Sequence, residues 1–117
     1  MRHRLFLCYV AVMLLVFLLP MPTTPLAEPR YADKLVHFGI FLGFALLFYL
    51  DQHRRAWWTF LLSTLFAGAI ELVQGELSYR EGDWLDFAAG ALGAGLGTLL
   101  VLFWQRRLVR AKASGPP

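Results

Sequence analysis

The sequence is poor in charge, and its 117 residues include a single cysteine. Asp, Glu, Lys and Arg make up 16% of it, against about 25% in soluble domains, and they stand in short clusters between long uncharged runs. The low hydrophobicity that keeps a chain disordered is missing. Cys8 alone makes no internal disulfide, so a disulfide-stapled scaffold is excluded. Also absent are a nucleophile elbow, an HExxH helix and a P-loop. What fills the chain instead is apolar. Hydrophobic residues reach 58%, too many for one ordinary soluble domain, and the length is too short for two. Such an excess calls for a bilayer.

The uncharged stretches set the number of helices. The first runs from Leu5 to Ala27, its apolar part ending at Leu19 before Pro20, Pro22 and Pro25. The second is Leu35 to Leu50. The third is Ala56 to Ile70, continuing past Glu71 to about Gln74, and the fourth is Phe87 to Gln105. A helix needs about 20 residues to cross a ~30 Å hydrocarbon core, so four spans leave only short connections. The expectation is an all-α, integral membrane four-helix bundle over residues 1–110. Its spans fall at about 5–20, 33–50, 56–75 and 86–105, and a short disordered tail follows at 111–117. The second span reaches length only with Asp33 and Lys34 in its outer turn, and the third only with Glu71 and Gln74. Both polar sites are therefore expected near one membrane surface.

Orientation follows from the basic residues. Arg2, Arg4, Arg54, Arg55, Arg106, Arg107, Arg110 and Lys112 fall on one side, and Arg30, Lys34 and Arg80 on the other. The positive-inside rule then makes both the N and C termini cytoplasmic, in a multi-pass protein of the cell membrane. All the acids except Asp51 collect in or beside the two outer connections. The net charge of +3 thus reports topology and contact with anionic lipid heads, and no nucleic acid partner is expected. A cleaved signal peptide ending at Ala27 is the competing reading of the first segment. Pro25 is a poor match to the small residue such a site needs, and the first span is retained.

Small residues recur at spacing four: Gly39 and Gly43 in the second span, and Ala89, Gly93 and Gly97 in the fourth, with Gly90 and Ala94 beside them. Such ridges let two helix backbones approach, within one chain or across a homo-oligomer. Contact within the chain is the preferred reading. Trp57, Trp58, Tyr79, Trp84 and Trp104 fit interfacial aromatic belts, and Cys8 reads as an inert small hydrophobe.

The outer side carries the chemistry. Residues three and four apart share a helix face, so His37 lies beneath Asp33 or Lys34, and Glu71 pairs in position with Gln74. The next connection supplies Glu76, Arg80, Glu81, Asp83 and Asp86. If the fourth helix starts by Asp83, that acid and Asp86 point together near a positive helix N-terminus. Three segments then converge on one polar pocket under the outer headgroups, made by Lys34, His37, Glu71, Gln74, Arg80, Asp83 and Asp86. Taken singly, Asp33, Glu76 and Glu81 read as solvated surface. Polar residues in spans also serve as interhelical glue, worth about 0.6 kcal/mol, yet an ionisable group inside a membrane marks function by default.

The run Asp33-Lys34-Leu35-Val36-His37-Phe38, then Glu71-Leu72-Val73-Gln74, then Arg80 with Asp83 and Asp86, then Gly93 and Gly97, resembles the VanZ-like membrane family. That family is named from a protein associated with resistance to the glycopeptide teicoplanin. Its members present DK-x-x-H, E-x-x-Q, R-x-x-[SD]-x-x-D and a glycine-rich fourth helix in this order, and the similarity covers about residues 10 to 105. Gly90 stands where many relatives carry Asn, which leaves either a gap in the polar pocket or room for a closer helix. The resemblance implies a bacterial four-helix membrane domain and these polar residues. Antibiotic resistance belongs to the founding member and carries over only as a phenotype to test.

Three functions fit the residues. In the first, Lys34 and Arg80 bind a phosphate or carboxylate of a lipid-linked or peptidoglycan-type envelope ligand, while His37, Glu71, Gln74 and Asp86 orient the rest. In the second, the chain is an enzyme acting on a lipid substrate. His37 is its base, with Asp33 or Asp86 as partner, and Glu71 its acid; alternatively His37, Glu71, Asp83 and Asp86 hold a divalent cation. In the third, it is a small dimeric transporter. That reading ranks last, because no acid stands between Leu5 and Leu19 in the first span.

Overall fold

The computed structural model describes residues 2–19, 30–52, 55–77 and 83–116. They form four α-helices, α1 (Arg2–Leu18), α2 (Arg30–Gln52), α3 (Ala56–Glu76) and α4 (Trp84–Ala113), with no strand among them. Three helical segments, Asp33–Asp51, Ala56–Glu76 and Trp84–Ala113, are long and apolar enough to cross a membrane. The apolar helix α1 is shorter at 17 residues, about 26 Å of rise.

The ends of the helices follow from local chemistry. α1 stops at Leu18, two residues short of the expected span, because Pro20 disfavours helical backbone at the residue before it. Asp83 caps α4: its backbone is extended at φ −138°, ψ 114°, and its side chain accepts from the Leu85 amide at 2.9 Å. This satisfies one of the orphan donors of a helix start. At the other end α4 overruns the expected limit of 105 and takes in residues 111–113 of the expected tail. Arg and Lys are good helix formers, and Arg110 and Lys112 in the last turn oppose the negative end of the helix dipole. Ser114 then closes the helix through its hydroxyl, which donates to the Arg110 carbonyl at 3.0 Å.

The packing is inverted relative to a protein in water. Leu65, Leu72, Leu92, Leu99 and Val109 are exposed, whereas His37, Thr59, Ser63, Glu71, Gln74, Asp86 and Thr98 are buried. Facing the side chains outward this way suits hydrocarbon surroundings. Inside, Met13, Phe17, Phe41, Phe44, Ala67 and Ile70 form the apolar core. Phe41, Phe44 and Phe66 lie with ring centroids 5.1–6.4 Å apart, within the range of favourable aromatic pairs.

Helix α2 is central. It packs on all three others, and its longest interface is with α4. There Gly93 lies against the backbone of Phe38 and Leu42, and Gly97 against the Leu42 carbonyl, which would stand 2.8 Å from an added Cβ. The α4 ridge is thus used inside the chain. Gly43 faces Tyr9 of α1, while Gly39 faces nothing within 4 Å among the described residues, so within them the two small residues of α2 do not act as one ridge. Of the two alternatives at Gly90 the closer helix holds, since Phe41 and Ala67 fill the space at 3.0 and 3.2 Å from an added Cβ. Tyr9 anchors α1 by donating its hydroxyl to the Ile40 carbonyl.

Phe17 near the end of α1, His37 near the start of α2, Gln74 near the end of α3 and Asp86 at the start of α4 meet at one end. Gln105 of α4 bonds Tyr49 of α2 toward the other. The helices therefore run up and down in turn, and both termini lie at the end opposite the polar residues.

Candidate functional site

At the polar end, α2 contributes Asp33, Lys34 and His37 from its first turns, α3 contributes Glu71 from its last, and α4 contributes Asp83 and Asp86. The Lys34 ammonium donates to Asp83 Oδ2 at 3.1 Å and to Asp86 Oδ1 at 3.3 Å. The expected convergence of the two acids is met, and their common partner is a lysine on another helix. Asp83 does more than pair. Its side chain caps α4, and its backbone amide donates to Glu71 Oε1, which fixes the start of α4 against the end of α3.

His37 is the most enclosed ionisable group, with a side chain 2% exposed. Its ring stacks on Phe17 with centroids 4.5 Å apart. Nδ1 lies 2.9 Å from the Asp33 backbone carbonyl. A carbonyl oxygen only accepts, so Nδ1 carries the hydrogen and Nε2 is the nitrogen left to face inward. Nε2 stands 3.7 Å from Glu71 Oε2, and neither atom has a hydrogen-bond partner among the described residues. The Asp33 carboxylate lies 3.8 Å from Nδ1 and is 53% exposed, which agrees with its reading as a surface acid that also touches the site. One ligand atom each of Asp33, His37 and Asp86 lies within 4.8 Å of the others.

Among the described side chains, Asp83 and Asp86 face the Lys34 ammonium, and Asp33 and Glu71 face the His37 ring. Lys34 keeps one of its three donors beyond the two bonds named.

Gln74 is brought to the same end but is turned to structure. Its amide donates to the Phe17 carbonyl at 2.8 Å, satisfying an acceptor near the end of α1. Arg80, Tyr79, Glu81 and the Ala27 junction lie outside the described residues. Glu76 is exposed, in keeping with a solvated surface acid. Sequence reasoning missed Phe17, which supplies both a ring to His37 and a carbonyl to Gln74. No spacing rule marks it. Tyr9 carried a readable signal, a hydroxyl inside an apolar run that has to find an acceptor.

An apolar groove of about 330 Å³ opens between α2 and α4 at the opposite end, lined by Leu46, Tyr49, Leu50, Leu100, Val101 and Trp104. None of these lining residues is charged.

The family model described as VanZ/LLP1 matches residues 6–105. The uncharacterized protein C11E3.10 of the fission yeast Schizosaccharomyces pombe is 37% identical over 86 residues, 68% of this chain and 53% of its own length. The chain thus spans about half the length of that relative. No solved structure matches.

Proposed function

The chain belongs to the VanZ/LLP1 family, and from that premise we propose that it is a multi-pass cell-membrane protein whose polar end faces outward and binds the headgroup of a lipid or lipid-linked envelope molecule. The single observation that carries this reading is the depth gradient at that end. Asp33 and Asp83 are 53% and 37% exposed at the rim, and the Asp86 and His37 side chains are 5% and 2% exposed at the floor. Polar groups arranged from rim to floor inside an apolar bundle suit a ligand that enters from the headgroup layer. Lys34 and Arg80 bind its phosphate or carboxylate, and His37, Glu71, Gln74, Asp83 and Asp86 shape the rest. Both termini are cytoplasmic, with the basic residues at their end against anionic lipid. A relative in a fission yeast favours a membrane lipid as the ligand over a bacterial wall precursor. Glycopeptide resistance is then the phenotype only of a member whose ligand is such a precursor.

Mass spectrometry of lipids that copurify with the wild type and with Arg80→Ala tests the reading. A lipid retained by the wild type and lost from the variant is expected. If the variant keeps every lipid at the wild-type ratio while both insert equally, headgroup binding by this end is wrong.

One observation favours a second reading. His37 is held by its Nδ1 with Nε2 turned to Glu71, an arrangement suited to a base and an acid working on one substrate. Release of phosphate or acyl product from lipid substrates by the purified wild type supports an enzyme, and zero turnover across lipid phosphates and esters counts against it.

A further inference from the structure

The separation between His37 Nε2 and Glu71 Oε2 has a chemical meaning. At 3.7 Å it is too long for a direct hydrogen bond, which closes at about 2.7–3.2 Å. It is too short for a well-made water bridge, whose two bonds of about 2.8 Å hold their outer atoms roughly 4.5 Å apart. A metal ion bound by both atoms at about 2.1 Å would subtend about 125° at that spacing, within reach of four-coordinate geometry. Both atoms are enclosed and have no hydrogen-bond partner among the described residues, and with the hydrogen on Nδ1 each can offer a lone pair to a cation between them. The imidazole also has the setting of a metal ligand. Histidines that bind metal through one nitrogen donate the other N–H to a carboxylate or a backbone carbonyl, as Nδ1 does to the Asp33 carbonyl at 2.9 Å. Asp33 and Asp86 bring further carboxylates to the same ring, and Asp86 is the buried one of the two.

We infer that His37 Nε2 and Glu71 Oε2 form the core of a binding site for a divalent transition-metal ion. An imidazole with a carboxylate suits Zn2+ or Mn2+ better than Ca2+ or Mg2+, which prefer all-oxygen shells. The ion offsets the charge of the enclosed Glu71 carboxylate. Its role rests on the headgroup reading: two protein ligands leave coordination positions open, and a lipid phosphate oxygen binds at one of them.

Titration of the full chain in detergent micelles with Zn2+ and with Mn2+, each added alone, tests the site. One ion per chain is expected, with affinity lowered at least about tenfold in both His37→Gln and Glu71→Gln. Uptake of neither ion by the wild type, or uptake unchanged in the two variants, overturns the inference. Electron spin-echo spectroscopy of wild-type protein loaded with Mn2+ needs no substitution: modulation from one imidazole nitrogen is expected, and its absence removes His37 as a ligand. Copurified lipid, measured before and after a chelator, separates the two proposals. Lipid kept through complete metal removal leaves headgroup binding standing and overturns the bridging role. Metal bound with no lipid at any stage supports the ion site and sinks the headgroup reading.

Discussion

The α2–α4 seam and the polar end share the same two helices, yet they are held by opposite means. At the seam no charge is involved: Gly93 and Gly97 lay the backbone of α4 on Phe38, Leu42 and Ala45 of α2. At the polar end the contacts run between long side chains, with Lys34 spanning two acids of α4 and His37 facing Glu71 across 3.7 Å. Backbone contact permits almost no adjustment, whereas a lysine or glutamate reaches its partner from several rotamers. The seam therefore sets the spacing of the helices, and the polar end inherits that spacing. The close backbone fit belongs to the first region and the ionisable groups to the second.

The largest effect should come from closing the seam to its fit. In Gly93→Ala the new Cβ collides with the Phe38 carbonyl, which is backbone and cannot swing aside. The helices must separate, at a cost of about 3 kcal/mol, the upper part of the usual overpacking range. Thermal unfolding in detergent reads this loss. Wild-type stability in that variant would break the division between the two regions at its strongest point.

A smaller effect is expected at the polar end. Gln74→Leu keeps the bulk of the side chain and removes its bond to the Phe17 carbonyl. Interhelical hydrogen bonds within membranes are worth about 0.6 kcal/mol on average and up to about 1.7, so a loss near 1 kcal/mol is expected. Hydrogen exchange should quicken in the last turns of α1 and stay unchanged along α2 and α4. Faster exchange along the seam as well would mean that the polar end also supports the helix spacing.

How far each region could be read in the sequence follows the same division. Uncharged runs marked the four helices, because a span has to exclude charge from hydrocarbon. Their ends were read less well: α1 stops early at Pro20, and α4 carries on through residues whose charge favours a helix end. That these residues meet at one end was legible because Lys34, His37, Glu71, Asp83 and Asp86 are ionisable groups in or beside apolar spans. Their pairing was not. Which acid Lys34 meets depends on how α2 and α4 cross, and that is set by glycines further along α4. The seam itself was half legible. Spacing four marked Gly93 and Gly97 correctly, but their partner is backbone at Phe38 and Leu42, residues that no small-residue rule selects.

Gly39 gives the smallest expected change and the sharpest control. It shares α2 with Phe38 and belongs to the same spacing-four pattern as Gly43, but nothing lies within 4 Å of the position its Cβ would take. Alanine there costs no contact, and it removes the helix penalty of glycine, worth up to about 1 kcal/mol. Gly39→Ala should leave thermal stability unchanged or raise it within that limit, with the mass of the detergent-solubilised particle unaltered. Set beside Gly93→Ala, the same substitution on facing helices then has opposite signs, decided only by whether another backbone lies against the glycine. A fall in stability together with a smaller particle would instead place a second copy of the chain against Gly39, and the fit that marks the seam would extend between molecules.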